Sequence, residues 1–234
     1  MVVFKEDTHQ YFNEEGKEYK SVTTILHKYT TPFDKDKVAA RVSEKTGRPV
    51  EEILKEWATV NRTACDFGTN IHLLMENYIK KRERVEGYDG LYDSFDEYLS
   101  DDLKYATDVL SEVKVWDDTA RVAGTSDLIV EFKDEFMVGD FKTNKRLDFY
   151  SKFRDHMKYP VDHLTDCNYS VYSLQLSIYA LMYERLSGKR CRNVFLLYKV
   201  GDRWTYITAN YMKYEAMALL KHYTLHRNEI LYGF

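Results

Sequence analysis

Hydrophobic and polar residues follow two different periods along this chain, and the changes of period divide it into three parts. Up to about residue 110, apolar residues recur mostly every three or four positions, as on one face of a helix. From Glu112 to Lys142 they recur every second position, as on one face of a strand. The last part, from Asn168, is mixed. This order predicts an α/β (α+β) fold in which helices cover at least one side of a short sheet.

Glycine, proline and charged residues set the limits of the predicted elements. The predicted helices span 34–45, a stretch that starts at Pro49, 61–84, 94–110, 168–186 and 211–231. The predicted strands form a hairpin within 9–22, then span 112–116, 121–132 and 135–142, and end in a second hairpin over 194–207. The tight connection between two central strands brings Asp127 and Asp140 towards one place if the register permits.

The composition excludes several classes of protein. Hydrophobic residues make up 44% of the chain and charged residues 31%, which suits a folded protein. The formal net charge of −4 excludes a general nucleic-acid coat. Three cysteines without a CxxC pair exclude a disulfide framework and a four-thiolate cluster. With no signal peptide and no membrane span in the sequence, we expect a cytoplasmic protein.

The strongest candidate chemistry lies in Asp127 and in the run Asp140-Phe141-Lys142. Two carboxylates from adjacent strands can hold Mg²⁺ or Mn²⁺, with the Phe141 carbonyl as a further oxygen ligand. Asp140 and Lys142 share a strand face, so the ammonium can orient a water and offset phosphoryl charge. The competing interpretation is a solvated face with a weak ion pair. The small residues that lead from Gly124 to Asp127 favour a buried carboxylate, which needs a partner.

His72 is a second candidate, because it lies one helical turn after Gly68. Without a side chain, Gly68 would let this helix approach the sheet where the imidazole points the same way. A neutral imidazole would complete a ligand set and favour Mn²⁺. The alternative is a core histidine whose ring nitrogens are satisfied by hydrogen bonds.

Three further residues carry weaker signals. Gln175 and Tyr179 share a helix face and can contact phosphate, sugar or base, although the same spacing also arises from packing. Glu112 stands at the start of a strand, where its carboxylate can accept a ligand water or a substrate contact.

Basic residues cluster in two places. One cluster is Lys35, Lys37, Arg41, Lys45 and Arg48, and the other, which begins at the candidate site, is Lys142, Lys145, Arg146, Lys152, Arg154 and Lys158. Such runs are often only solvated faces. The position of the second cluster favours a groove that follows a phosphate backbone.

Taken together, these motifs resemble the PD-(D/E)XK nuclease superfamily and its RecB-like exonuclease branch, which includes phage-type and mitochondrial genome maintenance exonucleases. The similarity covers roughly residues 20–179 and begins with an entry segment, Tyr19 to Leu26. The ordered motifs that carry it are Gly68-x-x-x-His72, Gly124-x-x-Asp127, Asp140-Phe141-Lys142-Thr143 and Gln175-x-x-x-Tyr179.

The resemblance implies a restriction-endonuclease-like core, with a central mixed β-sheet flanked by helices, an N-terminal hairpin and a helical segment. We expect one nuclease domain over 1–234, with an N-terminal extension at 1–60, the core at 61–210 and a closing helix at 211–234. The implied metal ligands are His72, Asp127, Asp140 and the Phe141 carbonyl. Lys142 would position the attacking water, and Glu112 would assist the acidic cluster. Gln175, Tyr179, Lys145, Arg146, Lys152 and Arg154 would contact DNA.

The expected activity is hydrolysis of DNA from its ends, leaving 5′-phosphate and 3′-hydroxyl ends, with one or two Mg²⁺ or Mn²⁺ ions. The missing C-terminal cysteines argue against the iron–sulfur cluster that some relatives carry. Expected partners are single-stranded DNA or duplex ends, and recombination or replication proteins, but no membrane. We expect a role in DNA recombination, repair or genome processing in a bacterial or phage-infected cell. The alternatives are a structure-specific or single-strand endonuclease, and a catalytically weak DNA-binding recombination partner.

Overall fold

The computed structural model describes residues 2–5, 8, 10–101 and 103–233, and it consists of eight strands and seven helices within those ranges. His9, with which the predicted hairpin opens, lies outside them. The strands are β1 Val2–Lys5, β2 Gln10–Asn13, β3 Glu18–Ser21, β4 Asp108–Asp117, β5 Val122–Glu131, β6 Glu135–Lys142, β7 Arg190–Val200 and β8 Arg203–Ala209. The helices are α1 Val22–Tyr29, α2 Lys35–Thr46, α3 Val50–Lys81, α4 Asp89–Asp101, α5 Asn168–Ser187, α6 Lys213–Leu225 and α7 Arg227–Tyr232.

The described strands form one mixed sheet around β5. One edge of β5 pairs with β4 along its whole length, in antiparallel orientation. The other edge is shared, because β3 pairs in parallel with its first residues and β6 pairs antiparallel with its last four. The sheet continues through a parallel β6–β7 pair and an antiparallel β7–β8 pair. On this shared edge, residues 124–127 of β5 therefore lie between the part that pairs with β3 and the part that pairs with β6.

Helices cover both faces of the sheet, and side-chain alternation along the strands assigns each residue to one face. Ile129 and Val138 belong to a core built with α1, α5 and α6. Leu128, Met137 and Phe141 belong to the opposite core, built with α3 and α4. The predicted mixed sheet with flanking helices is confirmed, and helices lie on two sides of it.

Four predicted helices have clearly different limits in the structure. The helix predicted over 94–110 ends at Asp101, and β4 starts at Asp108, because Val109 and Leu110 pair with apolar residues of β5. The two helical stretches predicted between Pro49 and Arg84 are one helix, α3, which ends where Arg82 adopts a left-handed backbone with φ +59°. The predicted closing helix is broken at His226 into α6 and α7.

Helix α1 was absent from the predicted elements. Ser21 caps it by accepting a hydrogen bond from the backbone N–H of Thr24 at 3.0 Å. Its buried residues Val22, Ile25, Leu26 and Tyr29 have the spacing of a single helix face. Eight residues are too few for a clear period in the sequence, so tertiary packing decides the conformation.

Glu131, the last residue of β5, ties the sheet to the end of α5. Its carboxylate accepts hydrogen bonds from the Tyr183 hydroxyl at 2.7 Å and from Lys189 Nζ at 2.8 Å. Burial alone would raise the pKa of Glu131, but the bonds from Lys189 and Tyr183 outweigh it and lower the pKa.

We expect Glu131→Gln to destabilise the protein by about 1 kcal/mol at pH 7. Because the pKa is lower in the folded state, the charged form stabilises the fold above the unfolded pKa of about 4.3, and this contribution is lost as the pH falls through the folded pKa. Urea unfolding at pH 7 and pH 3 checks this. The difference in the free energy of unfolding between wild type and variant should be smaller at pH 3. Glu135→Gln, which removes an exposed pairing with Arg190, should cost less than about 0.5 kcal/mol at both pH values.

Candidate metal centre

The candidate site lies where β5 and β6 separate. The antiparallel ladder between them runs from Glu131↔Phe136 to Leu128↔Gly139 and then stops. In the same register, the next facing pair would be Asp127 and Asp140. The Phe141 N–H donates its hydrogen bond to the Asp127 carboxylate, at 3.0 Å, and not to a backbone carbonyl of β5. The separation of the two strands therefore places two aspartates at the fork, as the register in the sequence analysis required.

The three residues Asp140, Phe141 and Lys142 point to alternate faces of β6, as predicted. The Phe141 side chain is buried against Trp204, with ring centroids 4.8 Å apart. On the opposite face, Lys142 Nζ lies 2.5 Å from Asp140 Oδ2. The Tyr172 ring, from α5, lies beneath the same ammonium, with its centroid 4.4 Å from Nζ. Lys142 is thus held between a buried carboxylate and an aromatic face.

Helix α3 delivers His72 to this fork. Its Nε2 lies 2.9 Å from the Phe141 carbonyl oxygen, and its Nδ1 lies 3.2 Å from Asp127 Oδ2. One turn earlier, a Cβ on Gly68 would lie 3.3 Å from Thr143 Oγ1, so the glycine allows the close approach that the sequence predicted. Both ring nitrogens of His72 therefore face oxygens of the fork, an arrangement that suits a metal ligand and also a core histidine satisfied by hydrogen bonds.

Glu112 completes the group from β4, in a backbone conformation that non-glycine residues rarely adopt. Its φ is +55°, while its neighbours Ser111 and Val113 pair regularly with Leu128 and Ser126. By the same register, Glu112 stands opposite Asp127. A left-handed backbone costs a side-chain-bearing residue about 1–2 kcal/mol, and such strain concentrates at functional sites.

Ligand atoms of His72, Glu112 and Asp127 all lie within 4.8 Å of one another. One imidazole and two carboxylates, with the Phe141 carbonyl beside them, suit Mn²⁺ or Mg²⁺ by their donor types. Asp140 pairs with Lys142 rather than joining these three. The structure therefore adds Glu112 to the candidate ligands, and the ligand role of Asp140 stays a prediction.

The charges in this group depend strongly on one another. Burial would lower the pKa of His72, but the Asp127 carboxylate outweighs it and raises the pKa to about 9. Burial would raise the pKa of Asp127, but His72 and Lys142 lower it below its ordinary value. The pKa of Asp140 is raised by burial and by the negative charge of Asp127. Without a metal, an imidazolium thus lies between the Phe141 carbonyl and the Asp127 carboxylate, where a bound cation would supply the positive charge.

Glu112 shows the effect of crowding carboxylates whose charges the nearby cations offset only in part. Burial and the charges of Asp127 and Glu76 raise its pKa to about 7. Glu76 itself forms an ion pair with Lys80, at 2.6 Å. A divalent ion among His72, Glu112 and Asp127 would relieve this repulsion, and the donor set therefore fits a metal.

The predicted DNA contacts Gln175 and Tyr179 are placed differently from each other. Tyr179 is 5% exposed and packs over Gly124, where a Cβ would come within 2.4 Å of the ring. Its hydroxyl accepts a hydrogen bond from Gln175 Nε2 at 3.1 Å. Gln175 is half-buried and also reaches Thr23 of α1, at 3.3 Å. Tyr179 thus orients Gln175, and of the two only Gln175 has substantial exposure.

The four predicted basic contacts lie in the long connection between β6 and α5. Lys145, Arg146, Lys152 and Arg154 are all exposed. Arg146 pairs with Asp148 at 2.5 Å, which leaves three cations of this set without a carboxylate partner at the distances recorded for the described residues.

Sequence reasoning missed two residues that support the site. Tyr172 lies three positions before Gln175 on α5, so the helical spacing from Tyr172 to Tyr179 was the available signal. Tyr11 of β2 bonds Thr125 Oγ1 at 3.0 Å, close to the fork. The contact joins positions that are 114 residues apart, and no local pattern predicts it.

Comparison with known proteins gives matches among solved structures. No protein-family model and no curated protein matches the chain. The crystal structure of the protein SSO0001 aligns with 90% of this chain and 78% of its own, at a TM-score of 0.39 and 15% identity. A crystal structure of a candidate exonuclease from Eubacterium rectale aligns with 93% of this chain and 82% of its own, at a TM-score of 0.41 and 13% identity. At these values the likeness carries no argument about function, which rests on the site.

Metal binding at this group is testable without any activity measurement. A hundredfold excess of Mn²⁺ over its Kd should stabilise the fold by about 2.7 kcal/mol, which corresponds to a rise in Tm of about 5–10 °C. We expect Glu112→Gln to lose most of this rise, because the amide cannot offer an anionic oxygen. The matched variant Glu135→Gln, at the far end of β6, should keep it. An unchanged rise in Glu112→Gln would remove Glu112 from the ligand set.

Proposed function

We propose that this protein is a metal-dependent DNA exonuclease of the PD-(D/E)XK type. The observation that carries the proposal is the fork between β5 and β6. It places Asp127, the Phe141 carbonyl and His72 around one point and holds Lys142 beside Asp140. Oxygen donors and an imidazole can hold a divalent ion, and a fixed ammonium can offset the charge that develops on a phosphodiester during hydrolysis.

In this proposal, His72, Asp127, the Phe141 carbonyl and Glu112 hold one Mg²⁺ or Mn²⁺ ion. Asp140 would complete the site, either as a further ligand of this ion or as a ligand of a second ion. A divalent ion bound there lowers the pKa of water and offsets the negative charge of the phosphate. Loading the site requires His72 to give up a proton, because an imidazolium has no lone pair for a metal.

Lys142 is proposed to orient the attacking water and to stabilise the charge that develops on the phosphate. Burial would lower the pKa of Lys142, but Asp140 and Asp127 outweigh it and raise the pKa, so the side chain stays charged. The Tyr172 ring and Asp140 fix the position of the ammonium. Water attacks phosphorus in line with the 3′ oxygen, the bond to that oxygen breaks, and a proton passes to it. The products are 5′-phosphate and 3′-hydroxyl ends.

The DNA is proposed to reach the fork along the connection between β6 and α5. Lys145, Lys152 and Arg154 supply exposed positive charge there, despite the net charge of −4 of the whole chain. Gln175, held by Tyr179, lies on the α5 side of the fork and would contact the strand near the scissile bond.

Recombination, repair or genome processing in a bacterial or phage-infected cell is the proposed context, and recombination or replication proteins are the proposed partners. In the part of the chain that the structure describes, no helix is both long and apolar enough to span a membrane.

The central test is digestion of end-labelled linear DNA with Mg²⁺ or Mn²⁺. Asp140→Asn and Lys142→Ala should each lower the rate by at least about 100-fold, because each removes a group that acts on the reacting phosphate. Lys104→Ala, which removes an exposed lysine before β4, should retain the wild-type rate.

A covalently closed circle of the same sequence separates the two nuclease alternatives. An exonuclease leaves the circle intact, whereas cutting of the circle would assign endonuclease activity to the same site. Absence of metal-dependent cleavage of any DNA would favour the DNA-binding recombination partner. Full activity of both Asp140→Asn and Lys142→Ala would contradict the assigned roles.

A further inference from the structure

Three aromatic side chains project into solvent from a short stretch of the connection between β6 and α5. Phe149 is 48% exposed, Tyr150 79% and Phe153 81%. Single exposed aromatic residues are common, but three within five positions form a patch that usually has a binding role. We call Phe149, Tyr150 and Phe153 the aromatic loop.

Basic residues flank the aromatic loop along the sequence. Between Thr143 and Tyr159 the chain has five basic and two acidic residues, a formal charge of +3, against −4 for the whole protein. Lys152 stands between Tyr150 and Phe153, and Arg154 follows directly. An aromatic surface with interleaved cations complements a ligand that has flat faces and regularly spaced negative charges.

The first turns of α5 lie between the aromatic loop and the fork. The Phe149 ring packs on Tyr169 in the first turn of α5, with centroids 4.6 Å apart. Tyr172 lies one turn further along α5, and its ring lies 4.4 Å from Lys142 Nζ. Successive turns of α5 therefore contact Phe149 of the aromatic loop and Lys142 of the fork.

We propose that the aromatic loop is a stacking platform for unpaired bases and that it makes single-stranded DNA the preferred substrate of the site. This inference rests on the proposed nuclease function. In a duplex, both faces of almost every base are covered by its neighbours, so exposed rings have little to bind. In a single strand, bases turn outwards and stack on Tyr150 and Phe153, while Lys152 and Arg154 follow the phosphates.

The test measures binding of fluorescein-labelled oligo(dT) and of a blunt duplex of equal length by anisotropy. It is performed in EDTA, so that no cleavage occurs. We expect the wild type to bind the single strand more tightly than the duplex. The double variant Tyr150→Ala/Phe153→Ala should lose about tenfold or more in single-strand affinity, because each stacked base contributes at least severalfold. Duplex affinity should change less than about twofold.

Tyr105→Ala is the matched control. Tyr105 is 78% exposed, almost the same as Tyr150, but it precedes β4 at the end of the sheet opposite Lys142. Its removal should leave both affinities unchanged. Tyr150→Phe retains the ring and should bind the single strand like the wild type.

Salt dependence separates stacking from phosphate contacts. The slope of log affinity against log salt should stay the same in Tyr150→Ala/Phe153→Ala, and it should become shallower by about 0.7 in Lys152→Ala.

The stacking platform would be overturned if Tyr150→Ala/Phe153→Ala lost affinity equally for single strand and duplex. It would also be overturned if this variant lost no more affinity than Tyr105→Ala. Binding of the wild type to phosphatidylserine vesicles, lost in the double variant without any change in single-strand affinity, would also overturn it and would assign the aromatic loop to a membrane surface. These assays need no catalysis, so failure of the nuclease proposal would appear separately, as DNA binding without metal-dependent cleavage.

Discussion

The hydrogen bond between the Phe141 N–H and the Asp127 carboxylate determines the geometry of the site. A regular ladder would have continued with backbone hydrogen bonds across this pair of strands. Because a side chain accepts the N–H instead, β6 separates from β5 without leaving a buried donor unsatisfied. The Phe141 carbonyl then faces His72 rather than β5.

The same fork explains how so many buried charges are tolerated. Asp127, Asp140 and Glu112 would repel one another at short range, and His72 and Lys142 are the cations that offset them. Lys142 belongs to the chain and is always present, whereas the proton on His72 can be exchanged for a metal. The same carboxylates would therefore be balanced by a proton on His72 in the metal-free protein and by the cation after metal binding.

Much of the fold and part of the site followed from local patterns. The strand-like run over 135–142 predicted both limits of β6, and the period of two in a strand predicted the opposite directions of Phe141 and Lys142. The i, i+4 spacing placed Gly68 and His72 on one face of α3. Other features depend on partners that are distant in sequence. The conformation of Glu112 depends on its place opposite Asp127, the burial of Tyr179 on Gly124, and the contact of Tyr172 on a lysine 30 positions away.

The left-handed backbone at Glu112 has a consequence for any attempt to improve this protein. Glycine or asparagine would fit that conformation better than glutamate, and a redesign guided by backbone geometry alone would choose one of them. Such a change would relax the strand and remove one carboxylate from the group of three. The residue that the chain conformation favours and the residue that the site requires are different at this position, so thermostability and metal affinity would be optimised in opposite directions here.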